Sequence, residues 1–208
     1  LQTRWPDLRV HVTSVSDQWA GVAVAGPKAR QVVSECLEDS TLISNHALPF
    51  MGVTATHLKG GIPCLIARIS FSGELAYEIY VAAGYGAPMM DLLWDKAEAA
   101  GGCLYGLEAL GTLRIENGHV TGAELDGRMT LDDAGLGKMA STKKPFIGNV
   151  LRQRPELIRE DRPQLVGVFP KDRSQTFNGG ALLCAPGDET GFGAGWITAV
   201  THSPALGH

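Results

Sequence analysis

The fold of this chain is decided by the stretch Arg68-Ile-Ser-Phe-Ser-Gly-Glu-Leu-Ala-Tyr-Glu-Ile-Tyr-Val81. Ser72-Gly73 is a turn signal between two mostly apolar runs, which predicts an antiparallel hairpin with strands over 62–69 and 75–81. The second run contains a carboxylate, Glu78, among apolar neighbours. A carboxylate inside such a strand needs a partner, because an unpaired buried charge is costly.

The partner of Glu78 is the main functional question that the sequence raises. Successive strand residues point to opposite faces of a sheet, so Glu78 and Tyr80 share one face while Tyr77 and Ile79 share the other. On spacing alone, Glu78 either faces solvent, or pairs with Arg68 across the hairpin, or binds a ligand that offers paired N–H donors. These alternatives predict different sites, and the spacing leaves all of them open.

The elements around the hairpin indicate an α+β fold. Alternating or apolar runs predict strands, and three-four apolar spacing beside glycine or proline boundaries predicts helices. The predicted strands cover 9–15 and 19–25, and the predicted helices cover 28–37, 87–100 and 107–117. Strands that pair as hairpins and are separated by helices favour antiparallel sheets with helices over a doubly wound parallel sheet.

The composition changes near Asp161, after a highly charged segment. Short apolar runs over 164–169, 181–184 and 196–201 alternate with Gly, Pro and Asp, which is typical of all-β modules. We therefore predict an α+β region over residues 1–160 and part of a C-terminal β-barrel over residues 161–208. The chain opens on a leucine and stops after a strand-like run, so we expect it to be a fragment of a longer polypeptide.

The charge and cysteine content exclude several function classes. With 18 basic and 22 acidic residues the formal charge is -4, and no basic run predicts a nucleic-acid partner. The apolar runs are too short to span a bilayer. Four scattered cysteines without a Cys-x-x-Cys pair fit reduced thiols in a cytoplasmic protein, and six histidines without a ligand-like spacing predict no metal site.

Five segments resemble, in order, the aminomethyltransferase family (the glycine-cleavage T-protein family). The stretch 68–81 resembles its folate-site strand, Arg-x-x-Tyr-x-Gly-Glu-x-Gly-x-Glu. The other four segments are an apolar strand with Gly-Pro and a helix, a Leu-Arg-x-Glu-x-Gly helix end, a Phe-Ile-Gly junction, and a C-terminal signature, which lie at 22–33, 105–118, 143–148 and 198–207. The resemblance implies the family's antiparallel folate-binding fold, followed by a C-terminal β-barrel.

The resemblance also implies roles for three residues. Glu78 would accept the ring N–H and the exocyclic amino group of a pterin at the same time. Phe71 stands where the family usually has Tyr, so it would pack on the pterin without a hydroxyl, or be an ordinary core aromatic. Arg114 would bind a carboxylate, either the glutamate tail of folate or a protein acid, although on the residues alone it is a surface arginine on an amphipathic helix.

Within the family, the segments at 5–10, 12–20, 69–78 and 125–130 resemble the alpha subunit of heterotetrameric sarcosine oxidase. That resemblance implies a tetrahydrofolate-binding portion that captures the one-carbon unit from sarcosine as 5,10-methylenetetrahydrofolate. It implies a flavin-bearing beta subunit and smaller subunits as partners, with flavin and NAD bound outside this segment.

The family's catalytic aspartate would precede residue 1, so the catalytic residues are unknown here and we expect the isolated fragment to be inactive. Two other functions stay open. One is a stand-alone aminomethyltransferase or folate-dependent demethylase, and the other is a non-catalytic folate-binding module.

Overall fold

The computed structural model describes residues 3–188 and 193–207, which belong to two compact units, residues 1–105 and 106–208. Each unit is described by itself below. The module boundary near Asp161 that the sequence suggests stays a prediction.

The first unit is built on a four-stranded antiparallel sheet in the order β1-β4-β3-β2. Its strands are β1 (Trp19–Ala25), β2 (Val53–Leu58), β3 (Ile62–Ala67) and β4 (Ala76–Ala82), and its helices are α1 (Ala29–Cys36) and α2 (Gly86–Ala99). The antiparallel pairing of β3 with β4 confirms the predicted hairpin. The antiparallel sheet with helices confirms the α+β class.

One face of this sheet forms the hydrophobic core. From β4 the core takes Tyr77, Ile79 and Val81, and the two helices pack against the same cluster. Helix α1 buries the face that its three-four spacing predicts. In α2 the buried positions are Met89 and Leu93.

Two cysteines lie inside this core, which predicts selective thiol labelling. Burial raises the pKa of the Cys36 thiol to about 11 and also raises that of Cys64, whereas Cys103 and Cys184 are exposed. The thiolate is the reactive form. At pH 8 we therefore expect iodoacetamide to add two adducts to the native chain, detected by intact mass, and four adducts after unfolding in urea. Native modification at Cys36 would contradict the fold.

The second unit contains little regular structure. Helix α3 covers Leu107–Glu116, and strands β5 (Leu182–Leu183) and β6 (Gly195–Trp196) form a two-residue antiparallel pair. The helix confirms the prediction over 107–117. Strand β5 lies within the run predicted over 181–184, and β6 overlaps the run predicted over 196–201 only at Trp196. The predicted β-barrel stays a prediction.

Two predicted strands are wrong. Residues 9–15 and 164–169 are described, and neither segment forms a strand. Their alternating pattern is real, but no neighbouring strand pairs with either segment in the part of the chain that the structure describes. An extended segment without a ladder partner gains no inter-strand hydrogen bonds, so a strand-like pattern does not suffice.

In the second unit, an ion pair between two largely buried side chains, Asp133 and Arg162, connects the loops. The carboxylate of Asp133 is buried and accepts hydrogen bonds from the Thr130 backbone N–H at 2.8 Å and from the Arg162 guanidinium. Arg162 also donates to the Arg128 carbonyl at 2.9 Å. The bond from Arg162 is the main reason that the pKa of Asp133 is lowered. This cluster links two loop segments that are 29 residues apart in the chain.

Candidate functional site

The carboxylate of Glu78 lies on the face of the sheet opposite the core. It is half-buried, and its cross-strand neighbours are Ala23 of β1 and Ala67 of β3. Ala23 is exposed, whereas Ala67 is buried at 7% exposure. The sequence-derived face assignment of Glu78 and Tyr80 is therefore confirmed.

The partner of Glu78 is Tyr80 rather than a protein cation. The Tyr80 hydroxyl donates a hydrogen bond to Oε2 of Glu78. The Arg68 guanidinium instead donates to the Leu48 carbonyl oxygen at 3.1 Å, so the predicted cross-hairpin pair is wrong. Among residues 3–188 and 193–207, no ion pair includes Glu78. The carboxylate thus keeps most of its acceptor capacity.

Tyr80 was not singled out by the sequence for any function. Its hydrogen bond to Glu78 raises the pKa of the Tyr80 phenol, and burial and the nearby negative charge raise it further. The phenol therefore stays protonated and acts as a donor across the physiological pH range. The signal available in the sequence was the two-residue spacing of Glu78 and Tyr80 within one strand.

Phe71 lies in the loop that joins β3 to β4, on the same hairpin as Glu78. Its side chain is 38% exposed, so it is not an ordinary core aromatic. The hydroxyls on either side of it, those of Ser70 and Ser72, are buried and have no hydrogen-bond partner among the described residues. Its predicted role as a wall of the pterin site stays a prediction.

Arg114 lies on α3 in the second unit and binds a protein acid. Its guanidinium is 3.0 Å from Oε1 of Glu124, and the two side chains are 12% and 3% exposed. The expectation of a surface arginine is therefore wrong, because α3 buries the residue against an acid. A role in binding the folate tail stays a prediction, since this structural pair already uses part of the guanidinium.

Glu124 is a buried acid that the sequence did not single out. Burial raises its pKa, but hydrogen bonds outweigh this: the Thr121 backbone N–H donates at 2.7 Å, and Arg114, the Thr121 hydroxyl and Thr198 also donate. The net effect is a lowered pKa, so Glu124 is ionised at neutral pH. Four donors around one buried carboxylate explain why it tolerates burial.

The C-terminal signature at 198–207 contacts α3. The hydroxyls of Thr112 and Thr201 are 2.6 Å apart, and the Ser203 hydroxyl donates to Glu116. Glu116 therefore binds this segment. In the structure this signature serves to hold α3, the helix that carries Arg114.

A cavity of about 560 Å³ opens on the first unit, beyond Tyr80 on the same sheet face. Leu65 lies opposite Tyr80, and Trp19 lies opposite Ala82 in the strand register. The lining includes Trp19, Ala55, His57, Leu65, Ala82 and Tyr85. Glu78 is not part of the lining, so this cavity and the half-buried carboxylate are separate features rather than one pocket.

Residues 1–144 match the family model described as the GCVT N-terminal domain. The chain belongs to this family. The match covers more than half of the chain and includes Phe71, Glu78 and Arg114 in both units. The GCVT N-terminal domain assignment agrees with the antiparallel sheet and helices of the first unit.

Relatives of this GCVT-domain chain fall into two named groups. The sarcosine oxidase alpha subunit of Rhizobium meliloti (strain 1021) is 44% identical over 211 residues, covering 99% of this chain and 21% of the relative. That of Corynebacterium sp. (strain U-96) is 41% identical, covering 100% and 22%. The aminomethyltransferase of Corynebacterium jeikeium (strain K411) is 33% identical, covering 100% and 56%. The chain thus spans about a fifth of the former proteins and about half of the latter.

No helix in the described ranges is long and apolar enough to cross a membrane. No group of three or more His, Cys, Asp or Glu residues there is placed to hold a metal ion.

Proposed function

We propose that the chain is the tetrahydrofolate-binding portion of a sarcosine oxidase alpha subunit. In this proposal it captures the one-carbon unit released by oxidative demethylation of sarcosine, as 5,10-methylenetetrahydrofolate. The observation that carries the proposal is the Glu78 carboxylate, which is half-buried away from the core and held by a phenol rather than by a cation. The alpha-subunit relatives named above support the choice of enzyme.

The acceptor capacity of Glu78 fits the edge of a pterin. An ionised carboxylate has about four lone-pair positions on two oxygens, and Tyr80 uses one of them on Oε2. The remaining positions can accept a ring N–H and an adjacent amino group in a bidentate, charge-assisted pair. A guanidinium at the same place would have used both oxygens and repelled such donors, so the absence of an ion pair among the described residues is informative.

In this proposal the residues of the chain bind and orient the folate. Glu78 would fix the amino edge of the pterin, and Phe71 would cover a ring face without offering a hydroxyl. Bound tetrahydrofolate would supply the amine nitrogens that take up the one-carbon unit. Arg114 would contribute beyond its pair with Glu124, through the guanidinium nitrogens that the pair leaves available.

The other components of the enzyme are also part of the proposal. Flavin would be carried by a beta subunit, smaller subunits would complete the hetero-oligomer, and NAD would bind outside this segment. We place the assembly in the cytoplasm, because four cysteines without a disulfide are typical of a reducing compartment.

The test uses the complete polypeptide encoded by the gene, purified with its co-expressed subunits. We expect tetrahydrofolate to bind in calorimetric titrations under anaerobic conditions. During sarcosine turnover it should divert the one-carbon product from free formaldehyde to 5,10-methylenetetrahydrofolate. Sarcosine oxidation with formaldehyde release that tetrahydrofolate does not change would overturn the proposal, as would a failure to bind the cofactor.

An aminomethyltransferase or a folate-dependent demethylase is the second candidate. It is favoured by the full-length alignment of this chain with the Corynebacterium jeikeium protein at 33% identity. Folate-dependent transfer from an aminomethyl donor, without a flavin-bearing partner, would select this function. Folate binding without any one-carbon product in either assay would instead indicate a non-catalytic folate-binding module.

A further inference from the structure

We infer that Tyr80 is a positioning residue for ligand binding, and that Gly21 provides the space in which its ring lies. The phenol would hold the Glu78 carboxylate in one orientation before the ligand arrives. This inference rests on the proposed function, because the ligand that Glu78 receives is the folate of that proposal. It goes further by naming two residues that the family resemblance did not bring forward.

The contact between Tyr80 and Glu78 follows from strand geometry. Residues two apart in a strand point to the same face and are about 7 Å apart along it, a distance that a tyrosine can bridge by leaning along the strand. In β4 the Tyr80 hydroxyl does so and donates to Oε2 of Glu78. The glutamate side chain has several rotatable bonds, and this hydrogen bond restricts them before binding.

Gly21 explains how the Tyr80 ring can lie against the sheet. The two residues are opposite each other in the pairing of β1 with β4. A Cβ added at Gly21 would be 3.0 Å from both Cδ1 and Cε1 of the Tyr80 ring, which is too close for an ordinary contact. Gly21 does not have a positive φ, so the backbone does not require glycine here. Glycine instead gives the ring room, because a Cβ here would force the ring to move by a few tenths of an ångström.

The electrostatics keep this arrangement intact at physiological pH. The bond to Glu78, followed by burial and the negative charge, raises the pKa of the Tyr80 phenol. The neutral phenol therefore remains a donor, and Glu78 presents its other lone pairs outward. A ligand edge with two donors fits these lone pairs, whereas an edge with an acceptor would meet a second acceptor. Tyr80 thus strengthens the preference of the site for paired N–H groups.

The first test measures tetrahydrofolate affinity in the complete polypeptide. We expect Tyr80→Phe to weaken binding about tenfold, since one hydrogen bond to a charged group is lost. Gly21→Val should weaken it by a similar factor, and the double variant should be no weaker than either single variant. Tyr77→Phe is the matched control: it makes the same change three residues away, on the core face of the same strand, and should alter affinity less than about twofold.

The second test measures the phenol itself, in the absence of any ligand. Tyrosinate absorbance near 295 nm should appear at lower pH in Glu78→Gln than in wild type, because the hydrogen bond to the carboxylate and its negative charge, which raise the pKa of Tyr80, are gone. In a Tyr80→Phe background the Glu78→Gln change should leave the tyrosinate titration unaltered. This coupling reports the contact between the two side chains, and the affinity test reports its role in binding.

The two tests separate the inference from the proposed function. If wild type binds tetrahydrofolate and Tyr80→Phe binds it equally well, the positioning role is overturned while the proposed function stands. If wild type does not bind tetrahydrofolate, the proposed function is overturned, and the absorbance titration then decides whether Tyr80 holds Glu78. An unchanged titration in Glu78→Gln would overturn the contact itself.

Discussion

Replacing Glu78 with glutamine is expected to weaken tetrahydrofolate binding about 100-fold in the complete polypeptide. The amide is nearly isosteric with the carboxylate, but it has no charge, and it presents an NH₂ donor toward the donors of the ligand. Loss of one or two charge-assisted hydrogen bonds costs about 3 kcal/mol, since each contributes about 1.5–3 kcal/mol. Calorimetric titration with tetrahydrofolate at neutral pH measures the effect.

Glu74→Gln provides the matched control for this prediction. Glu74 is exposed in the same β3–β4 connection and makes the same change in charge and shape. We expect its affinity to stay within about twofold of wild type, because a surface charge substitution usually changes free energies by less than about 0.5 kcal/mol. Unchanged affinity in Glu78→Gln, or an equal loss in both variants, would remove Glu78 from the site.

Replacing Arg114 with methionine is expected to destabilise the second unit by about 3 kcal/mol. The methionine keeps much of the length of the side chain but leaves the buried Glu124 carboxylate without its cation. Breaking one side of a buried pair costs about 3–5 kcal/mol because the remaining charge is uncompensated. The low end is expected here, since Thr121 and Thr198 still donate to Glu124. Hydrogen-exchange mass spectrometry of peptides within 106–208 measures the local loss.

The pH dependence of that loss has a definite sign. In wild type the pKa of Glu124 is lowered, so its stabilisation is present above its unfolded pKa and is lost as the pH falls through the folded value. Without Arg114 the folded pKa of Glu124 rises, and protonation then relieves the uncompensated charge. The difference in stability between wild type and Arg114→Met should therefore shrink as the pH falls below about 4.5.

Arg159→Met is the control for Arg114→Met, because it breaks a solvent-exposed ion pair instead of a buried one. Arg159 is 52% exposed and its partner Glu156 is 78% exposed, so we expect a loss below about 1 kcal/mol. A similar loss in Arg114→Met would contradict the buried pair. A drop in tetrahydrofolate affinity at a temperature where Arg114→Met remains folded would support the additional role proposed for Arg114 in binding the folate tail.

The sequence predicts much of the first unit because local pattern and tertiary structure agree there. Helix α1 follows from Gly26-Pro27 and its three-four spacing, and the face of Glu78 follows from strand alternation alone. Strand β2 was not predicted, because Val53-Thr-Ala-Thr-His-Leu58 has few large apolar residues and forms a strand by pairing with β3. Its assignment depends on tertiary contacts rather than on its own pattern.

The partners of the site residues were beyond the reach of the sequence for a different reason. Whether Arg114 faces solvent or a buried acid depends on Glu124, ten residues away in an irregular loop with no periodic signal. The pairing of Glu78 with Tyr80, rather than with Arg68, depends on which side chain reaches the carboxylate. Side-chain rotamers and loop conformations determine such contacts, and neither produces a periodic pattern in the sequence.

The alternation of β4 also has an evolutionary consequence. Tyr77, Ile79 and Val81 anchor the core on one side of the strand, while Glu78 and Tyr80 project from the other. If Glu78 and Tyr80 bind ligand as proposed, mutations that change ligand preference can accumulate at the even-numbered positions while the odd-numbered positions preserve the fold. Proteins that share this domain could then differ in ligand preference through substitutions on one face of β4.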